Sequence, residues 1–101
     1  MEKVILVVLA TINPLEKEAA NHYMTQANEM FKSVGAKPLY KYPLEKQFIG
    51  KLNIQMTAAI EFPNQKSFDA VFESEAYQQL IPDREKGFSF LNAYISKPAA
   101  K

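Results

Sequence analysis

VILVVLATI, residues 4–12, is apolar on both of its alternating faces. One set is Val4, Leu6, Val8, Ala10 and Ile12; the other includes Ile5, Val7 and Leu9. Successive side chains of a β-strand point to opposite sides, so a strand of this composition has to be covered on both. That makes it a central strand and constrains everything around it. The charged start followed by an apolar run imitates a secretion signal. However, the run is at the short end for such a segment, no small-x-small cleavage site follows, and it is much too short to span a bilayer.

Downstream, Asn13-Pro14-Leu15-Glu16 reads as a helix start, with Asn13 as N-cap, Pro14 at the first helical position and Glu16 three residues beyond the cap. Ala19, Tyr23, Ala27, Met30 and Val34 form one stripe along that helix, widened by Ala20, Met24 and Phe31. Gly35 suits its C′ position and Pro38 blocks continuation. Residues 39–49 read as a strand interrupted by Pro43, which points to a sheet edge or a bulge. Gly50-Lys51 gives a turn, and residues 52–62 alternate between an apolar face (Leu52, Ile54, Met56, Ala58, Ile60, Phe62) and a mixed one. Asn64 can cap a second helix burying Phe68, Val71 and Phe72. Ser74 then suits the N-cap of a short helix, Glu75 to Leu80, ended by Pro82-Asp83, and Gly87 releases the chain into a last strand at 88–96.

The order β-α-β-β-α-β, with right-handed crossovers, predicts an α+β, ferredoxin-like fold: a four-stranded antiparallel sheet with both helices on one face. A chain of 101 residues supports one core, so residues 1–97 are expected to form a single domain and 98–101 a frayed tail. If the helices cover one face, either Val4, Leu6 and Val8 or Ile5, Val7 and Leu9 are left bare on the other. A patch of that kind is unusual on a monomer. A second copy packed sheet against sheet about a two-fold axis covers it, burying several hundred Å² at about 25 cal/mol per Å², on the order of 10 kcal/mol before association costs. A homodimer is therefore expected.

Composition narrows the function classes. Twelve basic residues lie scattered among eleven acidic ones for a net charge of +1, with no basic run to neutralise phosphates, so no nucleic-acid partner is expected. Cysteine is absent, which removes disulfides, thiolate nucleophiles and sulfur-ligated metals and accords with a cytoplasmic location. Three glycines are too few for a P-loop, a dinucleotide fingerprint or a nucleophile elbow. With one histidine, no metal site is recognisable. No cofactor and no membrane partner is expected.

Ile60-Glu61-Phe62-Pro63-Asn64, followed by Phe68, Phe72, Ser74-Glu75-Ala76-Tyr77-Gln78 and Arg84, carries a further signal. With the apolar first strand and the glycine after the first helix, these residues resemble the dimeric α+β barrel superfamily, and within it a small single-domain family known only as a domain of unknown function. The resemblance covers nearly the whole chain. It implies a barrel built by two protomers with a cavity in or beside it. Distant members of the superfamily are cofactor-independent monooxygenases, haem-degrading enzymes and lactone isomerases, whose chemistry does not transfer with the fold. Pro82 interrupts a helix that often continues in such proteins.

Five residues stand out as ligand-binding candidates: Tyr77, Arg84, His22, Glu61 and Asn92. Tyr77 with Arg84 pairs a phenol with a guanidinium, which can hold an anionic or carbonyl-bearing ligand; alternatively they are a packing tyrosine and a surface ion pair with Asp83 or Glu85. His22 is either a general base or a histidine on the solvent flank of its helix. Glu61 and Asn92, with Asn53, Gln55, Thr57, Tyr40, Tyr42 and Tyr94, could line a barrel interior or merely satisfy one another at a dimer interface. The expected function is accordingly binding of a small aromatic or lipophilic molecule without catalysis, the alternative being a cofactor-independent enzyme of monooxygenase or isomerase type.

Overall fold

A computed structural model describes residues 2–98. The elements are β1 (Val4–Ile12), α1 (Lys17–Ser33), β2 (Lys37–Pro43), β3 (Met56–Phe62), α2 (Gln65–Phe72), α3 (Glu75–Gln78), α4 (Ile81–Gly87) and β4 (Phe88–Ser96). The strands form one antiparallel sheet in the order β2-β3-β1-β4, the ferredoxin-like arrangement. β1 is central, as its two apolar faces demand. The tail at residues 99–101 lies outside the described residues.

Register fixes which residues share a face. Val4 pairs with Phe62, Leu6 with Ile60 and Ile95, and Ala10 with Met56 and Leu91. This set faces the helices, and Val4, Leu6, Ala10 and Phe62 are buried. Ile5, Val7 and Leu9 lie opposite Glu61, Ala59 and Thr57 on one side and Ser96, Tyr94 and Asn92 on the other. No helix covers that second face, and its β1 residues are only half-buried in the single chain. Tyr40 and Tyr42 flank it from β2, their rings stacked 5.2 Å apart.

Four expectations need correction. First, the helix does not begin at Asn13. Asn13 donates its N–H to the Gly87 carbonyl (2.9 Å), while its side-chain oxygen accepts from Leu15 N–H (3.0 Å) and its carbonyl from Glu16 N–H (2.9 Å). The residue is thereby committed to a turn, and α1 starts three residues after the proline. Second, Pro43 ends β2 instead of interrupting it. Third, β3 begins at Met56 rather than Leu52. The intervening arm, residues 44–55, alternates like a strand but has little backbone to pair with. Its apolar residues Phe48, Ile49 and Leu52 point to solvent, and Gln55 is tied to the end of β1 through Ala10 O (3.0 Å) and, by its side chain, Ile12 N–H (3.0 Å). Fourth, Pro82 does not end a helix. It sits in the first turn of α4, where a missing N–H costs nothing.

Two buried clusters hold the layers together. At one end Phe62 is fully enclosed, its ring 5.4 Å from Phe31 and 5.2 Å from Phe68, beside Val4, Leu6, Val71 and Leu80. At the other end Ala10, Ala20 and Phe88 meet. There α1 and α4 touch backbone to backbone: a Cβ on Gly87 would lie 2.5 Å from Ala20 N.

Candidate functional site

Residues from both clusters line a cavity of about 830 Å³ between the sheet and the helices. Its floor is Leu6, Val8 and Ala10 of β1 with Met56, Ala58 and Ile60 of β3. α1 roofs it with Tyr23, Met24, Ala27 and Phe31. The space exists because small side chains stand where larger ones would close it, on the floor at Ala10 and Ala58 and in the roof at Ala27. It falls within the size range of sites that enclose small organic molecules.

Polar groups enter this apolar space from α1, α3 and α4. The Tyr23 and Tyr77 hydroxyls are 2.6 Å apart, and Arg84 Nη1 donates to Tyr77 Oη at 3.2 Å. Arg84 Nη2 reaches Glu85 Oε2 at 3.3 Å. Each member is held from behind. Ser74 caps α3 by accepting the Tyr77 N–H at 3.0 Å, Phe72 meets the Tyr77 ring at 4.8 Å, and Phe88 meets the Tyr23 ring at 5.8 Å. α4 places Arg84 one turn after Leu80, whose carbonyl accepts the Arg84 N–H at 2.9 Å. The proline that looked like a terminator is thus what starts the helix carrying Arg84.

Burial pushes the Tyr23 phenol well above its ordinary range, and the hydrogen bond with Tyr77 adds to the effect. Tyr23 therefore remains a neutral O–H. Burial works against the charge on Arg84, but the hydrogen bond to Tyr77 and the neighbouring oxygens more than offset it. Arg84 remains a guanidinium, and the cluster is a set of donors. Either phenol can donate in the bond between them, so of the two phenolic protons one has no acceptor within Tyr23, Tyr77 and Arg84.

Of the five sequence candidates, Tyr77 and Arg84 meet at the cavity. His22 lies one residue before Tyr23 but turns outward, its Nδ1 2.5 Å from Asp83 Oδ2, where it clamps α1 to α4. Glu61 and Asn92 lie on the other face of the sheet: Glu61 pairs with Lys3 at 3.3 Å, and Asn92 stands exposed opposite Leu9. Arg84 hydrogen-bonds Tyr77 and pairs with Glu85, one of the two carboxylates expected for its ion pair. Asn53 and Gln55 belong to the arm. By sequence Tyr23 is one more residue of an apolar stripe; its hydroxyl, in a row otherwise made of Ala, Met and Val, is the available signal. Among the described residues no group of three or more His, Asp or Glu could hold a metal ion, and no helix is long and apolar enough to cross a membrane.

The chain thus combines a ferredoxin-like sheet, helices on one face with an apolar cavity beneath them, and a second face left bare. Residues 6–95 match the domain of unknown function DUF1330, and the chain belongs to that family. A protein of unknown function from Rhodopseudomonas palustris has the same fold at 16% identity, with a TM-score of 0.86 over 99% of this chain and 85% of that one. A dabb family protein with a ferredoxin-like fold from Mesorhizobium loti superposes with a TM-score of 0.67 at 12% identity, covering 99% and 100%. A protein from Bacteroides thetaiotaomicron to which an antibiotic biosynthesis monooxygenase activity is ascribed gives 0.68 at 11%, covering 98% and 91%. At these identities the likeness concerns the fold alone. No curated protein matches the chain significantly in sequence.

Proposed function

We propose that this protein binds a small lipophilic molecule in the cavity between its sheet and its helices, without catalysis, and works as a homodimer. The observation that carries the reading is the cavity itself, about 830 Å³ of mostly apolar space with one polar end. A hydrocarbon ligand seated there would take this apolar lining out of contact with water. The free phenolic proton and Arg84 at the polar end would orient its oxygen. The dimer is supported by the bare face, where Ile5, Val7 and Leu9 lie among Tyr40, Tyr42 and Tyr94.

A second reading, a cofactor-independent enzyme of isomerase or monooxygenase type, draws on the same donors. Groups that hold a carbonyl oxygen also stabilise negative charge that develops on it. Tyr23, held as a neutral phenol, would serve there as donor and not as base.

The test is titration with N-phenyl-1-naphthylamine, a neutral dye that brightens in apolar surroundings. Saturable binding at one dye per chain is expected. Ala58→Leu, which fills the floor, should weaken binding at least tenfold while the protein stays folded; His22→Ala, outside the cavity, should leave it unchanged. Non-saturable brightening, or binding untouched by Ala58→Leu, would refute the reading.

A further inference from the structure

We infer that the ligand of this cavity is an anion, a lipophilic carboxylic acid whose carboxylate sits on Arg84 and the free phenolic proton of the Tyr23–Tyr77 pair. The inference rests on the binding reading above and narrows it to a chemical class.

Three independent observations carry it. The first is the donor count. Arg84 Nη1 and a phenol oxygen stand 3.2 Å apart, and one O–H of the two phenols has no acceptor within the trio. A ligand at this end therefore meets a guanidinium and one phenolic donor, and a carboxylate offers two oxygens to receive them. An amide would offer one acceptor and bring an N–H against a site already made of donors.

The second is the charge of the lining. Lys32, Lys41 and Arg84 line the cavity against Glu85 alone, three positive groups to one negative. Lys32 has its own exposed partner in Glu29, 3.8 Å away. Glu85 is too exposed to neutralise Arg84 strongly: its side chain is 70% accessible against 30% for the arginine. An ion pair so open to water contributes little, so the inner side of the guanidinium remains available to a second anion.

The third is the state of the phenols. Tyr23 is held neutral by burial, so it faces a negative oxygen as a hydroxyl and does not repel it. A site for a cationic or amine ligand would need an excess of negative charge, whereas Glu85 is the one carboxylate of the lining and already pairs with Arg84. The rest of the lining, Leu6, Val8, Met24, Ala58 and Ile60 among it, is apolar and calls for a hydrocarbon body on the same molecule.

The experiment compares 2-naphthoate with 2-naphthamide, two probes of equal size and shape that differ in charge. Fluorescence titration of the full-length protein should show naphthoate bound at least tenfold tighter. Arg84→Gln should abolish that preference by weakening the acid and leaving the amide within twofold. Tyr77→Phe, a smaller change, should reduce the preference at least threefold. Circular dichroism establishes that both variants are folded at the assay temperature. Equal binding of acid and amide to the wild type, or a preference that survives both substitutions, would overturn the assignment of an anion while leaving the cavity reading intact. Failure of both probes to bind would overturn the cavity reading, and the anion with it.

Discussion

Tyr23 and Tyr77 show what a hydroxyl does when it is placed inside an otherwise apolar layer. Neither phenol could be buried alone without cost, and each supplies the other's partner at 2.6 Å. The sequence made half of this cluster visible. Tyr77 and Arg84 stood out because they fell in a short polar stretch with local capping signals. Tyr23 did not, because a tyrosine at helical spacing within an apolar stripe has the same pattern whether its oxygen is buried or wet. The two phenols stand 54 positions apart, and nothing between them marks their meeting. A pH dependence follows from the shift on Tyr23. Its folded-state value lies above the ordinary phenol value of about 10, so the unfolded chain loses this proton first as pH rises. Stability contributed by the neutral phenol is full below about pH 10 and falls above it, with a limiting slope of about 1.4 kcal/mol per pH unit. Urea denaturation between pH 9 and 11 should show a steeper loss in the wild type than in Tyr23→Phe; parallel curves would contradict the account.

The elements were legible where local chemistry decides them and obscure where tertiary partners do. β1, the body of α1, the N-caps Asn64 and Ser74, and β4 all follow from periodicity and capping, and both caps accept the expected backbone N–H groups. The alternation at 52–55 was equally clear yet forms no strand, because pairing requires a neighbour and the arm has run past the end of β2. Pro82 was ambiguous in kind: the same ring that terminates one helix is favourable in the first turn of the next. The contact between α1 and α4 has a sharp consequence. Replacing a helical glycine with alanine ordinarily gains about 1 kcal/mol from propensity. At Gly87, however, the new Cβ would meet Ala20 N at 2.5 Å and Ala20 Cα at 2.7 Å, backbone atoms that cannot turn aside. Overpacking of this type costs about 1–3 kcal/mol, so the steric term should win. Gly87→Ala should lower the thermal midpoint; a rise would show that the two helices are not in close contact.

At the scale of the molecule, one strand's composition governs the architecture. β1 is apolar on both faces, which requires a cover on each. The helices supply one, and the other is the face assigned above to a second copy. Val7 lies at the centre of that face, opposite both Ala59 and Tyr94. Val7→Lys should therefore convert a dimer into a folded monomer in light scattering at micromolar concentration, with the helix-side cavity intact; a wild type that is monomeric there would remove the dimer from the proposal. The opposite face carries the central claim, that the hollow between sheet and helices is a ligand site. The two faces of β1 are separated by a single strand and alternate residue by residue, so methyl-resolved NMR can tell them apart. In a titration with 2-naphthoate, shifts are expected at Leu6, Val8, Met24, Met56 and Ile60, with Ile5, Val7 and Leu9 unmoved. Shifts confined to Ile5, Val7 and Leu9, or none on either face at saturating probe, would contradict a ligand site in the hollow.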